Sequence, residues 1–247
     1  MTRRETFEQD GFVAVPNFCG AEQLAGIEDA LRRFMSRRLI ELPSEHVFFE
    51  DTTDPSTLKQ IQRLHNHDEF FGAFMAGAPR RLAEELLGEP VVGKNLQYFN
   101  KPPAIGQVTP PHQDGFYFML EPCRALTMWM ALDVVDAENG CVRYVRGSHT
   151  RGMRPHGRTE TLGFSQGIID FGQPVDSENE VACPAQPGDL LVHQALTIHR
   201  ADANASATRN RRALGFIFYA ESARENVAAH EAYQAELATE LAAAGKI

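Results

Sequence analysis

Two side chains with metal-binding chemistry lie two positions apart in residues 110–116, where His112 and Asp114 flank Gln113. In an extended strand, side chains two positions apart project from the same face, because the strand repeats every two residues. One imidazole and one carboxylate on the same face can supply two ligands of a 2-His-1-carboxylate site, which leaves positions on a ferrous ion open for a cosubstrate and O2. A single His-x-Asp is weak evidence, so the prediction depends on a second histidine.

Two histidines later in the chain, His193 and His199, are candidates for this third ligand. Residues 187–193 are typical of a turn that leads into a strand, and His199 lies just beyond it. We favour His199, because Arg211 and Arg212 open a β-rich run shortly after it and could bind the far carboxylate of a keto acid through a forked guanidinium. We interpret His193 as a residue that packs beside the site or supports one of its ligands.

The composition is that of an acidic globular protein, with 247 residues and a formal net charge of −9. Such a charge argues against general nucleic-acid binding, which depends on neutralising phosphates. The four cysteines lack Cys-x-x-Cys spacing and are predicted to be reduced, mostly buried thiols. No apolar run reaches membrane-spanning length, and the N-terminal residues are unlike a signal peptide. We predict a cytoplasmic protein, monomeric or homodimeric, that acts on a small molecule and has no nucleic-acid or membrane partner.

Hydrophobic periodicity predicts helices in the first third of the chain and strands after it. Apolar residues at steps of three and four predict helices over residues 21–39, 58–77 and 79–87, with a loop over 41–56. Runs rich in Val, Tyr, Phe and Thr predict strands over residues 96–101, 116–120, 126–132, 141–145, 189–192 and 213–219. The segment 150–180 is predicted to be a long loop or lid.

Many short strands at regular spacing predict a β-sandwich or a β-barrel. The chain shows no internal repeat and no linker, so we predict one domain over residues 1–247. Within it we expect a helical N-terminal part (1–90), a β core (91–220) and a C-terminal helix (221–247).

Several short motifs occur together along the chain. They are His112-x-Asp114, Trp129-x-Ala131-Leu132-Asp133, Asn139-Gly140-Cys141, Gly147-Ser148-His149, Gly188-Asp189, and His199 followed by Arg211-Arg212-Ala213, with residues 97–103 as a strand before the first. In this order they resemble the phytanoyl-CoA dioxygenase family of non-haem Fe(II)/2-oxoglutarate oxygenases. The resemblance covers almost the whole chain and is strongest from residue 91 onward. Any one of these motifs is weak evidence, and the resemblance is specific because all of them occur in this order.

The resemblance implies a mainly β fold with flanking α-helices, a double-stranded β-helix (a cupin-like jelly roll). It implies that Fe(II) is bound by His112, Asp114 and His199, with 2-oxoglutarate as cosubstrate and O2 as oxidant. The family's cosubstrate arginine falls on Arg211, with Arg212 as the alternative.

Further residues of the cosubstrate pocket are implied by the same resemblance, namely Gln97, Trp129 and Lys59. Two departures from the family pattern occur after His199. Ala201 stands where the family often has a small hydroxyl residue. The spacing from His199 to the arginine is one residue longer than usual, which leaves the choice between Arg211 and Arg212 open.

The implied activity is hydroxylation of a small organic substrate, with 2-oxoglutarate and O2 converted to succinate and CO2. A carboxylate at Asp114 favours hydroxylation over halogenation, because related halogenases carry a small residue there. The first alternative is desaturation or cyclisation at the same iron site. The second is a cupin-like metal-binding module that does not use 2-oxoglutarate. Arg211 or Arg212 distinguishes an enzyme from the binding module, because a binding module needs no cosubstrate arginine.

Four residues near the metal motif are candidates for substrate contacts. Phe116 and Phe118 share one face of the predicted strand 116–120 and are candidates for the cavity wall near the iron. Residues 143–158 contain five arginines and no acid, and Arg151 and Arg154 are the candidates to bind an anionic group. No extended basic surface requires a coenzyme A site, so we expect a small free acid or phosphonate.

Overall fold

The computed structural model describes residues 1–159, 161 and 166–243. The helices are α1 (Arg3–Asp10), α2 (Ala21–Arg37), α3 (Leu64–His67), α4 (Glu69–Ala76), α5 (Ala78–Leu87), α6 (Gly115–Phe118), α7 (Pro174–Asn179) and α8 (Val227–Ala243). The strands are β1 (Phe12–Val15), β2 (Val47–Phe49), β3 (Leu58–Ile61), β4 (Val91–Lys101), β5 (Thr109–His112), β6 (Leu120–Glu121), β7 (Ala125–Ala131), β8 (Val142–Val145), β9 (His156–Arg158), β10 (Gln166–Ile168), β11 (Glu180–Cys183), β12 (Leu190–Gln194), β13 (His199–Ala201), β14 (Arg211–Ala220) and β15 (Arg224–Glu225).

Two antiparallel sheets form the body of the protein. The larger has seven strands in the order β1-β12-β7-β14-β4-β3-β2, and the smaller has four in the order β11-β8-β13-β5. Most neighbouring strands are distant in sequence, which is the connectivity of a jelly roll rather than of a meander. The predicted fold class, mainly β with flanking helices, is confirmed.

The central strand β7 is buried along its whole length. Because side chains alternate, Met128 and Met130 point to the cluster that also contains Ile27 and Phe34 of α2. Trp129 belongs instead to the cluster between the two sheets. Helices therefore cover one face of the large sheet, and its other face is available to form a site with the small sheet.

The N-terminal strand β1 completes one edge of the large sheet by pairing with β12. The carbonyl of Gly11, just before β1, accepts hydrogen bonds from the backbone N–H of Gln194 at 2.9 Å and from the Thr197 hydroxyl at 2.7 Å. The side chain of Gln194 also donates to the carbonyl of Phe7 at 2.9 Å. The connection from β12 to β13 is thereby attached to the N-terminal segment.

Several predicted elements are wrong in type. Residues 58–61 form β3 rather than the start of a helix, because Leu58 and Ile61, three positions apart as in a helix, are buried by pairing with β2 and β4. Residues 115–118 form α6 rather than a strand. The expected loop 150–180 contains the paired strands β9 and β10 and the helix α7, and β11, which pairs with β8, begins at its last residue.

The predicted C-terminal helix is present as α8, and residues 244–247 lie outside the described residues. The assignment of one domain to residues 1–247 stays a prediction. Among the helices of the described residues, none is both long and apolar enough to cross a bilayer.

Candidate active site

The two candidate histidines lie next to each other on neighbouring strands of the small sheet. His112 ends β5, His199 begins β13, and the two are direct cross-strand partners. Their ring centroids are 4.1 Å apart. Opposed residues of an antiparallel pair project from the same face, so strand pairing is what places the two imidazoles together.

Asp114 joins this pair, although not by the strand alternation predicted from sequence. β5 ends at His112, and Asp114 has helical dihedral angles (φ −58°, ψ −33°) at the start of α6. Its Oδ1 lies 3.5 Å from Nε2 of His112 and 3.7 Å from Nε2 of His199. A turn therefore brings the carboxylate back to the imidazoles. In the described part of the chain, these three residues form a potential metal-binding group whose ligand atoms all lie within 4.8 Å of one another.

Backbone carbonyls orient both imidazole rings. Nδ1 of His112 lies 2.8 Å from the carbonyl oxygen of Pro110, and Nδ1 of His199 lies 3.0 Å from that of Thr197. A carbonyl only accepts, so each Nδ1 carries the proton and donates it. Each Nε2 is left with a lone pair, and this is the arrangement in which histidines bind metals.

The charge states of the group also suit a metal. Burial lowers the pKa of His199 well below its usual value, and the imidazoles of His112 and His193 add to this effect. Burial would raise the pKa of Asp114, but the adjacent histidines, His199 foremost, hold that pKa well below its usual range. Neutral imidazole and ionised carboxylate are the metal-binding forms. The donor set fits a divalent ion such as Fe(II).

Arg211, the first residue of β14, is a buried cation. Its Nε donates to the carbonyl of Gly140 at 3.0 Å, and its guanidinium lies over the Trp129 ring, with Cζ 4.7 Å from the centroid. Burial lowers the pKa of Arg211 to about 10. No carboxylate of the described residues pairs with it. A charge buried without a counter-ion is costly, so this position fits an anionic ligand.

Two buried lysines lie in the same region. Lys59 on β3 pairs with Glu50 at 3.0 Å, and Lys101 at the end of β4 donates to the carbonyl of Asp202 at 2.7 Å. Burial, together with the charges of Arg211 and Lys59, lowers the pKa of Lys101 well below its usual value. Because Lys59 is paired with a carboxylate and the pKa of Lys101 is lowered, the positive charge available to an anionic cosubstrate comes chiefly from Arg211.

The predicted residues Gln97 and Trp129 lie on either side of Gly215, which is the cross-strand partner of both. Arg211 is four residues before Gly215 on β14, and therefore projects from the same face. The side-chain oxygen of Gln97 accepts a hydrogen bond of 2.6 Å from Gln60. Three of the predicted cosubstrate residues thus share one area of the large sheet.

The alternative arginine, Arg212, is paired elsewhere. Its guanidinium contacts Asp133 at distances down to 2.7 Å and Glu28 of α2 at 2.9 Å. The hydrogen bond to Asp133 is the main cause of its raised pKa. These contacts attach β14 to α2, so Arg211 is the better candidate for a ligand-binding arginine.

The sequence profile of the phytanoyl-CoA dioxygenase (PhyH) family matches residues 7–213. The chain belongs to this family. It is 22% identical over 217 residues to the peroxisomal phytanoyl-CoA dioxygenase of Bos taurus, covering 83% of this chain and 64% of that protein. It is 33% identical over 130 residues to phytanoyl-CoA dioxygenase domain-containing protein 1 of Bos taurus, covering 51% and 44%. The matches thus span less than two thirds of these relatives.

Solved structures share the fold of this PhyH protein. EvdO2 from Micromonospora carbonacea var. aurantiaca is 26% identical, with a TM-score of 0.71 and coverage of 90% of this chain and 91% of that one. The epimerase SnoN in complex with Fe3+, alpha ketoglutarate and nogalamycin RO is 24% identical, with a TM-score of 0.73 and coverage of 90% and 84%. EctD from S. alaskensis with bound Fe is 19% identical, with a TM-score of 0.75 and coverage of 90% and 77%. The predicted family and jelly roll are therefore confirmed.

The two predicted substrate phenylalanines of this PhyH protein lie in different places. Phe116 stacks on His156, with ring centroids 4.5 Å apart. Phe118 is buried in a separate cluster, 5.1 Å from the ring of Tyr219. The expectation that they share one face is wrong, because it assumed a strand where the structure has α6.

Tyr117, between them, lies closer to the metal-binding group. Its ring is edge-on to His112 with a centroid distance of 6.0 Å, and it contacts Tyr233 of α8 at 6.4 Å. Arg158 of β9 pairs with Glu236 of α8 at 3.0 Å and lies over the Tyr233 ring. α8 therefore borders the aromatic side of the site.

The two arginines predicted to bind an anionic substrate differ in their ion pairs and exposure. Arg154 pairs with Asp170 and Asp176, each at 2.8 Å, and Asp176 is fully buried. Arg151 is exposed at the end of the short 3₁₀ turn Ser148–Arg151. Its exposure makes Arg151 the more available of the two for a ligand.

We expect Arg154→Ala to lower the free energy of unfolding by about 3 kcal/mol, because it leaves the buried carboxylate of Asp176 without its cation. Urea denaturation followed by circular dichroism measures this change. Arg151→Ala is the matched control, and is expected to change the value by less than about 0.5 kcal/mol. Equal denaturation midpoints for the two variants would contradict the assignment.

The residues near the site that were not predicted from sequence include Thr127 and Lys101. The hydroxyl of Thr127 donates to Oδ2 of Asp114, and Lys101 lies near Arg211. Both could have been found by strand alternation, since Thr127 is two positions from Trp129 and Lys101 is four from Gln97.

Proposed function

We propose that the protein is a non-haem Fe(II)/2-oxoglutarate-dependent dioxygenase that hydroxylates a small organic molecule. The observation that carries this proposal is the combination of a His-Asp-His group with a nearby buried arginine that lacks a carboxylate partner among the described residues. Membership of the PhyH family and the folds of SnoN and EctD support iron and 2-oxoglutarate as metal and cosubstrate.

Each residue of the site has a defined part in this proposal. His112 and His199 would bind iron through Nε2, and Asp114 through Oδ1, since these atoms face one another. Arg211 would pair with the carboxylate of 2-oxoglutarate remote from the keto group, with Trp129, Gln97 and Lys59 beside it. The bound iron would supply the oxidising chemistry that couples decarboxylation of 2-oxoglutarate to transfer of one atom of O2 into a substrate C–H bond, the other atom entering succinate.

The surrounding side chains limit the access of water and orient the substrate. Tyr117 lies edge-on to His112, and Phe116 and Tyr233 pack against Tyr117, so the three rings supply aromatic surface on this side of the site. We propose a substrate with an apolar part that packs there and with an anionic group within reach of Arg151. Screening neutral and acidic candidates by succinate release tests this proposal, and equal turnover of both classes would contradict the anionic group.

Other oxidative outcomes at the same iron are the alternative within enzymes. A protein of similar fold, SnoN, is described as an epimerase, and the same site could also support desaturation or cyclisation. Mass spectrometry of the product formed under labelled O2 distinguishes these outcomes. A hydroxylase product gains one labelled oxygen, whereas an epimerised, desaturated or cyclised product gains none.

We expect anaerobic addition of Fe(II) and then 2-oxoglutarate to produce a weak visible charge-transfer band, because the keto acid would chelate the iron. The measurement is a spectrophotometric titration, with iron content determined separately. His112→Ala should remove the band because it removes an iron ligand. A wild-type protein that binds iron but gives no band would favour the cupin-like binding module.

A further inference from the structure

The two oxygens of Asp114 lie in different surroundings. Oδ1 faces Nε2 of His112 and of His199 at 3.5 and 3.7 Å. Oδ2 receives a hydrogen bond from the Thr127 hydroxyl and lies 3.1 Å from Nε2 of His193. One oxygen is therefore directed to the candidate metal position, and the other is bonded to protein donors.

A further residue, Tyr144, contacts the other ring nitrogen of His193. The Tyr144 hydroxyl lies 3.1 Å from Nδ1 of His193. Because an ionised Asp114 can only accept, Nε2 of His193 must be the donor to Oδ2. In a neutral ring Nδ1 then accepts the hydrogen bond from the Tyr144 hydroxyl, so the three groups form one chain with a single consistent set of donors.

These residues are rigidly placed by the sheets. His193 on β12 and Thr127 on β7 are direct cross-strand partners, so their donors converge on the same carboxylate oxygen. Tyr144 is fully buried and stacks on Phe12, with centroids 4.6 Å apart and an interplanar angle of 19°. The positions of His193 and Tyr144 are therefore set by strand pairing and packing, before any metal binds.

Asp114 needs such support because its own segment provides little. It begins the single-turn helix α6, where its side chain makes no capping hydrogen bond. The terminal torsion of an aspartate is broad, so an unsupported carboxylate would sample many orientations. Outer hydrogen bonds to ligand side chains typically change metal affinity by about 10- to 100-fold.

We propose that His193, oriented by Tyr144 and assisted by Thr127, is a positioning residue that occupies Oδ2 of Asp114 and so presents Oδ1 to the metal. This inference rests on the proposed function, because it assumes that Asp114 is a metal ligand. It assigns His193 and Tyr144 a role through Asp114, without contact to cosubstrate or substrate.

The test is the affinity of the metal-free protein for Co(II), an air-stable probe, measured by competition with a fluorescent chelator and by the Co(II) absorption spectrum. His193→Leu should weaken binding about 10- to 100-fold and alter the spectrum. His193→Gln, which keeps a donor near the position of Nε2, should recover much of the loss. Tyr144→Phe, which retains the stacked ring, should weaken binding less than His193→Leu.

Tyr98→Phe is the matched control for loss of a buried tyrosine hydroxyl, since Tyr98 lies in the helix-facing core and should leave Co(II) binding unchanged. Thermal melts of the metal-free proteins establish folding, and Tyr144→Phe keeps the test decisive if His193→Leu does not fold. Wild-type affinity and spectrum in folded His193→Leu, or in Tyr144→Phe, would overturn the proposal. Equal losses of Co(II) affinity in His193→Leu and His193→Gln would also overturn it, because they would indicate that His193 acts only through packing.

The failure of this inference can be separated from failure of the proposed function. Wild-type protein that binds neither Co(II) nor Fe(II) would overturn both. Wild-type protein that binds Fe(II) and gives the 2-oxoglutarate charge-transfer band, while the His193 variants bind Co(II) normally, would overturn the positioning role alone.

Discussion

Arg211→Ala is expected to raise the KM for 2-oxoglutarate by about 100-fold or more, while Fe(II) binding persists. The buried guanidinium is the proposed partner of the remote carboxylate, and removing one member of a buried charge pair costs about 2–5 kcal/mol, with about 1.4 kcal/mol per tenfold change. Steady-state succinate release gives the KM, and the charge-transfer titration reports binding directly.

Arg212→Ala is the matched control, because it removes the neighbouring guanidinium from the same strand. Arg212 contacts Asp133 and Glu28, so its loss should lower thermal stability and leave the KM for 2-oxoglutarate nearly unchanged. If Arg212→Ala raised the KM and Arg211→Ala did not, the assignment of the cosubstrate arginine would be reversed.

His199→Ala is expected to abolish stoichiometric Fe(II) binding and to lower turnover by at least about 1,000-fold, or about 4 kcal/mol in the activation free energy. The reason is that the variant loses one of three ligand atoms that lie within 4.8 Å of one another. Iron analysis after desalting and succinate release are the two measurements.

His46→Ala controls for the loss of a histidine as such. His46 belongs to a separate pair, with its Nδ1 3.3 Å from Nε2 of His67. The His46→Ala variant should retain both its bound iron and its turnover. Normal iron content in His199→Ala would show that the metal is bound elsewhere, and would contradict the proposed ligand set.

The candidate metal-binding residues could be proposed from sequence because the motifs around them occur in a specific order along the chain, although His-x-Asp alone is weak evidence. The geometry could not be predicted in the same way. The prediction for His112 and Asp114 assumed an extended strand, but the chain turns into α6 after His112. A His-x-Asp spacing is compatible with either conformation, and which one occurs depends on packing with residues distant in sequence.

Packing with residues distant in sequence also explains why some secondary-structure predictions were wrong. Residues 58–61 have apolar residues three positions apart, and local pattern alone favours a helix. Pairing with β4, more than thirty residues later, makes this segment a strand and places Lys59 in the site region. The choice between Arg211 and Arg212 likewise required the contacts of Arg212 with Asp133 and α2.

The attachment of β1 to β12 has a consequence for the kinetics of folding. The hydrogen bond from Thr197 to Gly11 joins residues 186 positions apart, and Thr197 lies two residues before His199. Contacts of such separation form slowly, because the chain must first lose the entropy of closing a long loop. The pair of imidazoles is therefore expected to assemble late in folding. A nascent chain on the ribosome should become able to bind the metal only after β12 and β13 have emerged and the N-terminal segment has docked on them.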